Sequence, residues 1–322
     1  MAEGKHAPGG RILFVFLDGV GLAPEGPGNP LSSVPMPRLR SLLGGPLALD
    51  GGRAAAGPRP SDDLVFHGID ACLGVEGLPQ SATGQTALFT GLNAPAAAGE
   101  HIAAYPTRLL RDLIAERSFL RTAAEAGLRV LFANAHSERF WQMVRDGSRS
   151  LSASTLAALA AGAPIPTLED LLQGRAVLWD ITHEIASAHM GYVLPLVSPE
   201  EAGARLARIA GEHDLVLYET FLPDLAGHRR IEPEWVLARL DGFLGAVVDG
   251  RPDDCTVVVS SDHGNLEEIS TKLHTTNLVP LLAVGPQARR FREVVDITGV
   301  APAILEALGV QGAPAAGARA DA

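Results

Sequence analysis

Short apolar runs that each end in a turn dominate this chain and set what it can fold into. Residues 12–17, 130–133, 215–218, 256–260 and 278–284 are brief, apolar and bounded by turn-forming residues. Runs of that length without polar alternation are strands covered on both faces. Between them, residues 106–126, 199–212, 234–248 and 296–308 carry helical spacing of apolar positions, with Pro199 and Pro233 placed for a first helical turn. Strands alternating with helices predict a mostly parallel central sheet between two helical layers, a three-layer α/β/α sandwich. Residues 136–175 fit less well: their Ala- and Leu-rich segments are broken by Pro164 and Pro166. They read as a small helical insertion, a candidate lid. The Gly-, Ala- and Pro-rich ends, 1–10 and 311–322, read as disordered tails. A single domain over 11–310 remains, a size one α/β core can fill.

The formal net charge of −11 opposes unspecific binding to nucleic acid or to acidic membrane surfaces. It does not oppose an anionic substrate, because bound divalent metals reverse a local field. Cys72 and Cys255 are the only cysteines, too few for a disulfide framework and wrongly spaced for a zinc knuckle. The apolar run at 12–17 is too short for a signal peptide or a membrane span, so the expected location is the cytoplasm.

In parallel α/β sheets, functional groups gather beyond the carboxyl ends of strands. Here the first run ends in Asp18, the run at 215–218 leads to Asp224 and His228, and the run at 256–260 leads to Asp262 and His263, with His274 eleven residues on. One such Asp is more often a helix cap than a metal ligand, and one such His is more often a surface or satisfied core residue. Three strand ends delivering acids and histidines together point to a metal site. Carboxylate with imidazole suits Zn²⁺ or Mn²⁺ better than Ca²⁺ or Mg²⁺. Asp224 and His228, four apart, can meet on one ion. Asp262 and His263 serve two neighbouring ions if the strand stays regular, or one ion if the chain turns.

Ser81 opens a short helical stretch ending at Thr90-Gly91. A serine there is either a plain N-cap or a phosphoryl acceptor, since free N–H groups and the helix dipole favour an anion. Thr83 is the alternative hydroxyl.

The set Asp18-Gly19, Ser81, Asp224-x-x-x-His228, Asp262-His263-Gly264-Asn265 and His274-Thr275-Thr276-Asn277-Leu278-Val279-Pro280 resembles the metalloenzyme branch of the alkaline phosphatase superfamily, which includes cofactor-independent phosphoglycerate mutase and phosphopentomutase. The resemblance implies an alkaline-phosphatase-like fold and two divalent metal ions, Mn²⁺ or Zn²⁺. One would be held by Asp224, His228 and His274, the other by Asp18, Asp262 and His263, with Ser81 as nucleophile and Thr83 as fallback. Its substrate would be a small phosphorylated metabolite. Lys272, just before His274, and Arg139, at the start of the insertion, are the preferred substrate-side candidates over Arg229, Arg230 and His136. The stretch between Ser81 and Asp224 is too short for the large second domain of the mutase. Hydrolysis of a phosphomonoester is therefore expected ahead of phosphomutase action, which needs the intermediate enclosed from water. A catalytically silent metal-binding protein is the reading from another class. A dinucleotide-binding dehydrogenase is disfavoured, because the glycines after Asp18 have the wrong spacing for a pyrophosphate turn.

Overall fold

The structure, a computed structural model, describes residues 9–50, 53–54, 63–189 and 191–310. The expected tails therefore lie outside the described residues, apart from Gly9 and Gly10. The main sheet contains β1 (Arg11–Leu17), β4 (Leu64–Ile69), β5 (Val130–Phe132), β6 (Leu215–Thr220), β7 (Cys255–Ser260) and β8 (Val279–Val284). A separate two-residue pair, β2 (Leu49–Asp50) and β3 (Arg53–Ala54), is antiparallel. The main strand order is β4-β8-β7-β1-β6-β5. β1 lies between β6 and β7 and runs parallel to both, β5 runs parallel to β6, and β8 runs antiparallel to β7 and β4. Only β8 is reversed. Residues 261–278, which join it to β7, contain no helix, whereas a parallel return needs a crossover.

Alternation along β1 explains its unbroken apolar run. Ile12, Phe14 and Phe16 enter one core, and Leu13, Val15 and Leu17 enter the other. The first core holds apolar residues of the helices Ser81–Thr90, Arg108–Arg117, Phe119–Glu125, Ala153–Ala160 and Val300–Ala307. The second is covered by Pro37–Leu43, Pro199–Ala210 and Pro233–Gly250. The three layers are thus present.

Three local expectations are revised. The helix read over 106–126 is two helices, because Ser118 adopts an extended backbone between Arg108–Arg117 and Phe119–Glu125. β4 is an additional strand at the sheet edge. The candidate lid at 136–175 is narrower than its sequence implies: Ala153–Ala160 packs into the first core, while Glu138–Arg145 buries no residue. Pro199 does open its helix, behind a capping box of Ser198 and Glu201.

Phe89 ties the Ser81–Thr90 helix to the sheet. Its ring meets Phe16 edge-on at 5.6 Å, Phe119 at 6.0 Å and Phe14 at 6.4 Å, and it is fully buried. Phe89→Ala is expected to cost about 3–5 kcal/mol in chemical unfolding. A loss below about 1 kcal/mol would mean the helix is anchored elsewhere.

Candidate metal centre

The carboxyl ends of β1, β6 and β7 lie side by side, so their following residues converge. Asp18 donates its backbone N–H to Thr220 O at 3.0 Å, which holds the β1 exit against the β6 exit. The next residue, Gly19, has φ +75°, and a Cβ there would lie 2.8 Å from Asp224 Cα. Only a glycine allows the two loops to approach so closely. Gly84 does the same for the Ser81–Thr90 helix, where a Cβ would lie 2.7 Å from Asp262 O. Beyond Ser260 the chain turns, so Asp262 and His263 converge and do not diverge as in a regular strand: Asp262 Oδ2 is 3.5 Å from His263 Nε2.

Around His263 Nε2 stand Ser81 Oγ at 3.0 Å, Asp18 Oδ1 at 3.3 Å and Asp262 Oδ2 at 3.5 Å. One ring nitrogen cannot satisfy three oxygens, and Asp18 Oδ1 is buried without an aligned hydrogen-bond donor. Oxygens converging on a point they cannot share by hydrogen bonding fit a cation. Asp18, Asp262 and His263 offer ligand atoms within 4.8 Å of one another, and so do Asp224, His263 and His274. His228 stands outside this second triplet, with its Nε2 3.4 Å from Asp224 Oδ1. The structure thus brings Asp18, Asp262 and His263 together, and it places His263 with Asp224 and His274 as well. The rings of His263 and His274 are stacked at 3.7 Å and 13°.

The imidazoles are oriented for metal binding. Nδ1 of His228 faces Lys272 O at 2.8 Å, Nδ1 of His274 faces Pro79 O at 2.8 Å, and Nδ1 of His263 faces Gly264 O at 3.4 Å. A carbonyl only accepts, so each Nδ1 carries a proton, and Nε2 is the nitrogen left to face a metal ion.

Ser81 and Thr83 are separated by geometry. Thr83 is fully buried, its hydroxyl donating to Gln80 O at 3.3 Å and accepting from Ile102 N at 3.1 Å. Ser81 is only partly buried and faces His263. One expectation is corrected: the amides of Ala82 and Thr83 are not free for an anion, because both donate to Ile102 O. Of the substrate-side candidates, Lys272 reaches the centre only through its carbonyl, and its ammonium is exposed. Arg139 is exposed on the Glu138–Arg145 helix, near Gly191.

Two buried side chains escaped the sequence reading. Gln85 Nε2 donates to Asp18 Oδ2 at 3.3 Å and to Asp262 Oδ2 at 3.2 Å. It lies one helical turn beyond Ser81, a spacing that puts both on one helix face. Glu267 accepts from Gly21 N, Asn265 N and Asn277 Nδ2 at 2.9, 2.8 and 3.0 Å, and from the Thr275 hydroxyl. It ties together the loops that carry the centre. Asn265 Nδ2 in turn holds Asp224 Oδ1 at 2.9 Å.

Burial raises the Asp18 carboxyl above its ordinary range against the pull of the nearby His263 imidazole, and the Asp224 charge adds to the rise. Burial and the Asp18 charge raise Asp262 further. Burial would lower His263, but the charges of Asp262 and Asp18 outweigh it and push the imidazole up to about 10. Burial and the His263 charge press His274 down to about 4. A cluster that holds protons this way exchanges them for cations. Apparent affinity for Mn²⁺ or Zn²⁺ is therefore expected to rise with pH, since a proton held by His263 must leave before a cation enters. The rise should be at least about tenfold per pH unit between about pH 6 and about pH 8, in direct metal titrations. Affinity independent of pH would contradict proton displacement.

The chain is 30% identical over 125 residues to a 2,3-bisphosphoglycerate-independent phosphoglycerate mutase of Syntrophotalea carbinolica, covering 35% of this chain and 24% of that protein. A mutase of the same description from Herpetosiphon aurantiacus is 31% identical over 140 residues, 38% and 26% of the two chains. The matches thus span about a quarter of these relatives' length. Among solved structures, the PH0037 protein of Pyrococcus horikoshii aligns with a TM-score of 0.55 at 13% identity, covering 93% of this chain and 97% of its own. The alkaline phosphatase of the Antarctic bacterium TAB5 aligns with a TM-score of 0.50 at 14% identity, covering 96% and 100%. The fold is therefore alkaline-phosphatase-like. The family model for the metalloenzyme superfamily matches residues 10–312, and the chain belongs to that superfamily.

Proposed function

We propose that this chain is a two-metal-dependent phosphoryl-transfer enzyme that hydrolyses a small phosphomonoester through a phosphoserine at Ser81. The observation that carries the reading is Ser81 Oγ, 3.0 Å from His263 Nε2, beside two triplets of converging candidate ligand atoms. Asp18, Asp262 and His263 would hold one Mn²⁺ or Zn²⁺, and Asp224, His274 and His228 the other. Bound there, the ions supply positive charge to the nucleophile, the phosphoryl oxygens and the departing oxygen.

The rest falls to the chain's own groups. The Ser81–Thr90 helix, pinned by Phe89, presents Ser81 Oγ for in-line attack. The Oγ–P bond forms as the P–O bond to the alcohol breaks, and the serine proton ends on the departing alkoxide. Water then takes the phosphoryl group from Ser81 and restores the hydroxyl. Gln85 and Asn265 fix the carboxylates of Asp18, Asp262 and Asp224 so that positioning costs little during reaction. The hydrolytic outcome is supported by the Ala153–Ala160 helix of the candidate lid, which packs into the first core. The net charge of −11 fits a small anionic substrate drawn to the metals better than a nucleic acid. No helix among the described residues is long and apolar enough to cross a membrane, in keeping with the cytoplasmic location we propose.

The phosphoglycerate mutase relatives favour a second reading, phosphomutase action on a phosphosugar or phosphoglycerate-like acid. A panel of phosphorylated sugars and acids separates the two. Release of inorganic phosphate, with phosphate trapped on Ser81 after acid quench, is the expected result. Isomer formation without release would make the protein a mutase. No turnover with metals bound would leave a silent metal-binding protein.

A further inference from the structure

The helix Leu222–Gly227 carries Asp224 and ends at His228, its C-cap. Arg229 N donates to Ala226 O at 2.8 Å and Arg230 N to Leu225 O at 2.8 Å, the paired bonds of a Schellman cap. That cap puts the residue after the C-cap in the left-handed region, where glycine is usual because a Cβ is strained there. The residue here is Arg229, with φ +57°. A strained non-glycine residue persists where its surroundings hold it, and such residues gather at functional sites. The helix dipole favours a cation near this end, but Arg230 supplies one beside it without a positive φ. The strain at Arg229 therefore points to what its side chain does.

That side chain reaches the link between β7 and β8. The Arg229 guanidinium donates to Ile269 O, and His228 Nδ1, one residue earlier, donates to Lys272 O at 2.8 Å. Two consecutive residues thus grip two carbonyls of one segment. Ile269 N donates to Gly28 O at 3.0 Å, so Ile269 is held through both its N–H and its carbonyl. The segment runs from the buried Glu267 to His274, and Ile269, Ser270, Lys272 and Leu273 are exposed. Leu273 is 64% exposed, so apolar packing does little to fix the segment, and exposed backbone of this kind opens locally at low cost. Its position matters to the candidate centre. Lys272 O is the group that turns His228 Nε2 toward Asp224 Oδ1, 3.4 Å away. His274 follows Lys272 by two residues, its Nε2 3.6 Å from the same oxygen.

The geometry points to Arg229 as a latch that holds residues 268–273 against the end of the Leu222–Gly227 helix, so that Lys272 O keeps His228 aimed at the ion position beside Asp224. The purpose of the latch rests on the two-metal reading, whereas its contacts do not. Arg229 fixes Ile269, the short backbone from Ile269 fixes Lys272, and Lys272 O fixes the His228 ring. Arg229 belongs to neither triplet and is a positioning residue. Glycine would suit the cap better, but it would leave Ile269 O without the guanidinium and the segment easier to open. An arginine kept at a strained torsion is what a latch at this position requires, because a long side chain with several donors must start from the residue next to His228.

Amide hydrogen exchange of the metal-free full chain reads the latch, and titration with Mn²⁺ reads its consequence. Arg229→Gly relieves the cap, so the midpoint of chemical unfolding is expected to stay or rise. Exchange in residues 268–273 is expected to quicken by about tenfold. One Mn²⁺ is expected to bind about tenfold more weakly while the other is unchanged. Arg229→Lys keeps a donor and should fall between Arg229→Gly and wild type in both readouts. Added to His228→Ala, Arg229→Gly should weaken Mn²⁺ by less than about twofold more, because the latch acts through His228. Wild-type exchange in Arg229→Gly overturns the latch. Faster exchange with both ions bound as in wild type overturns its role at the centre, and a full further loss in the His228→Ala background overturns the path. A lower unfolding midpoint in Arg229→Gly makes Arg229 an ordinary structural residue and overturns the assignment too. If wild type binds no Mn²⁺, the two-metal reading fails instead, and exchange alone decides the latch.

Discussion

Ser81→Ala is expected to lose at least about a thousandfold in turnover of a phosphomonoester while retaining its metal ions. The Ser81 side chain is partly buried at the first position of its helix, and its Oγ is the hydroxyl that faces His263 Nε2, at 3.0 Å. Alanine is the best helix former, so truncation removes the hydroxyl proposed as the attacking group and leaves the helix intact. Thr83→Ala should behave in the opposite way. Its hydroxyl joins Gln80 O and Ile102 N, so its loss should cost about 1–2 kcal/mol of stability and leave turnover within about tenfold of wild type. Steady-state assays, metal analysis and chemical unfolding on the two variants decide the matter. An inactive Thr83→Ala beside an active Ser81→Ala would reverse the roles.

What the sequence made legible follows from burial. β1, β6 and β7 lie inside the sheet, so both faces of each are apolar and the runs stand out, with Asp18, Asp262 and His263 directly after them. β4 is an edge strand, its His67 and Gly68 interrupt the apolar pattern, and only pairing with β8 identifies it. The break at Ser118 is equally silent, because apolar spacing continues across it and the change is one of backbone torsion alone.

The side chains that the structure brings together at the candidate centre are named by the sequence, but their grouping is not. Acids and imidazoles after strand ends mark a metal site, but the sharing of His263 between two triplets depends on a turn after Ser260 that no residue type dictates. Gln85 and Glu267 were missed for a related reason. A buried amide or carboxylate acting through hydrogen bonds has no motif, only a position, and Gln85 shows its position through the one-turn spacing from Ser81. The lid was overread because an Ala- and Leu-rich helix looks the same whether it covers a site or fills a core. Ala153–Ala160 fills the core.

His263→Ala is expected to disrupt the centre more than any other single ligand change. Its imidazole is fully buried, faces Ser81, Asp18 and Asp262, stacks on His274, and takes part in both triplets. Nε2 has one lone pair and can serve one ion, so that ion loses a ligand outright. The other ion keeps Asp224 and His274, but His274 loses the ring that sets its orientation, and loosened orientation weakens a metal site by about 10–100-fold. Charge acts in the same direction. In the metal-free protein His263 is pushed up to about 10 from an ordinary 6.5, so its imidazolium stabilises the fold fully below about pH 6.5 and progressively less as pH rises through about 10. Without it, Asp18, Asp224 and Asp262 face one another uncompensated. His228→Ala is the contrasting variant: it leaves both triplets whole and should weaken one ion by about tenfold or more. Metal content after gel filtration should be about two ions per chain in wild type and no more than about one in His263→Ala, with turnover down at least about a thousandfold. If His263→Ala retained as many ions as wild type, the metals would have to bind away from this cluster, and the proposal of Ser81 as a metal-activated nucleophile would fall.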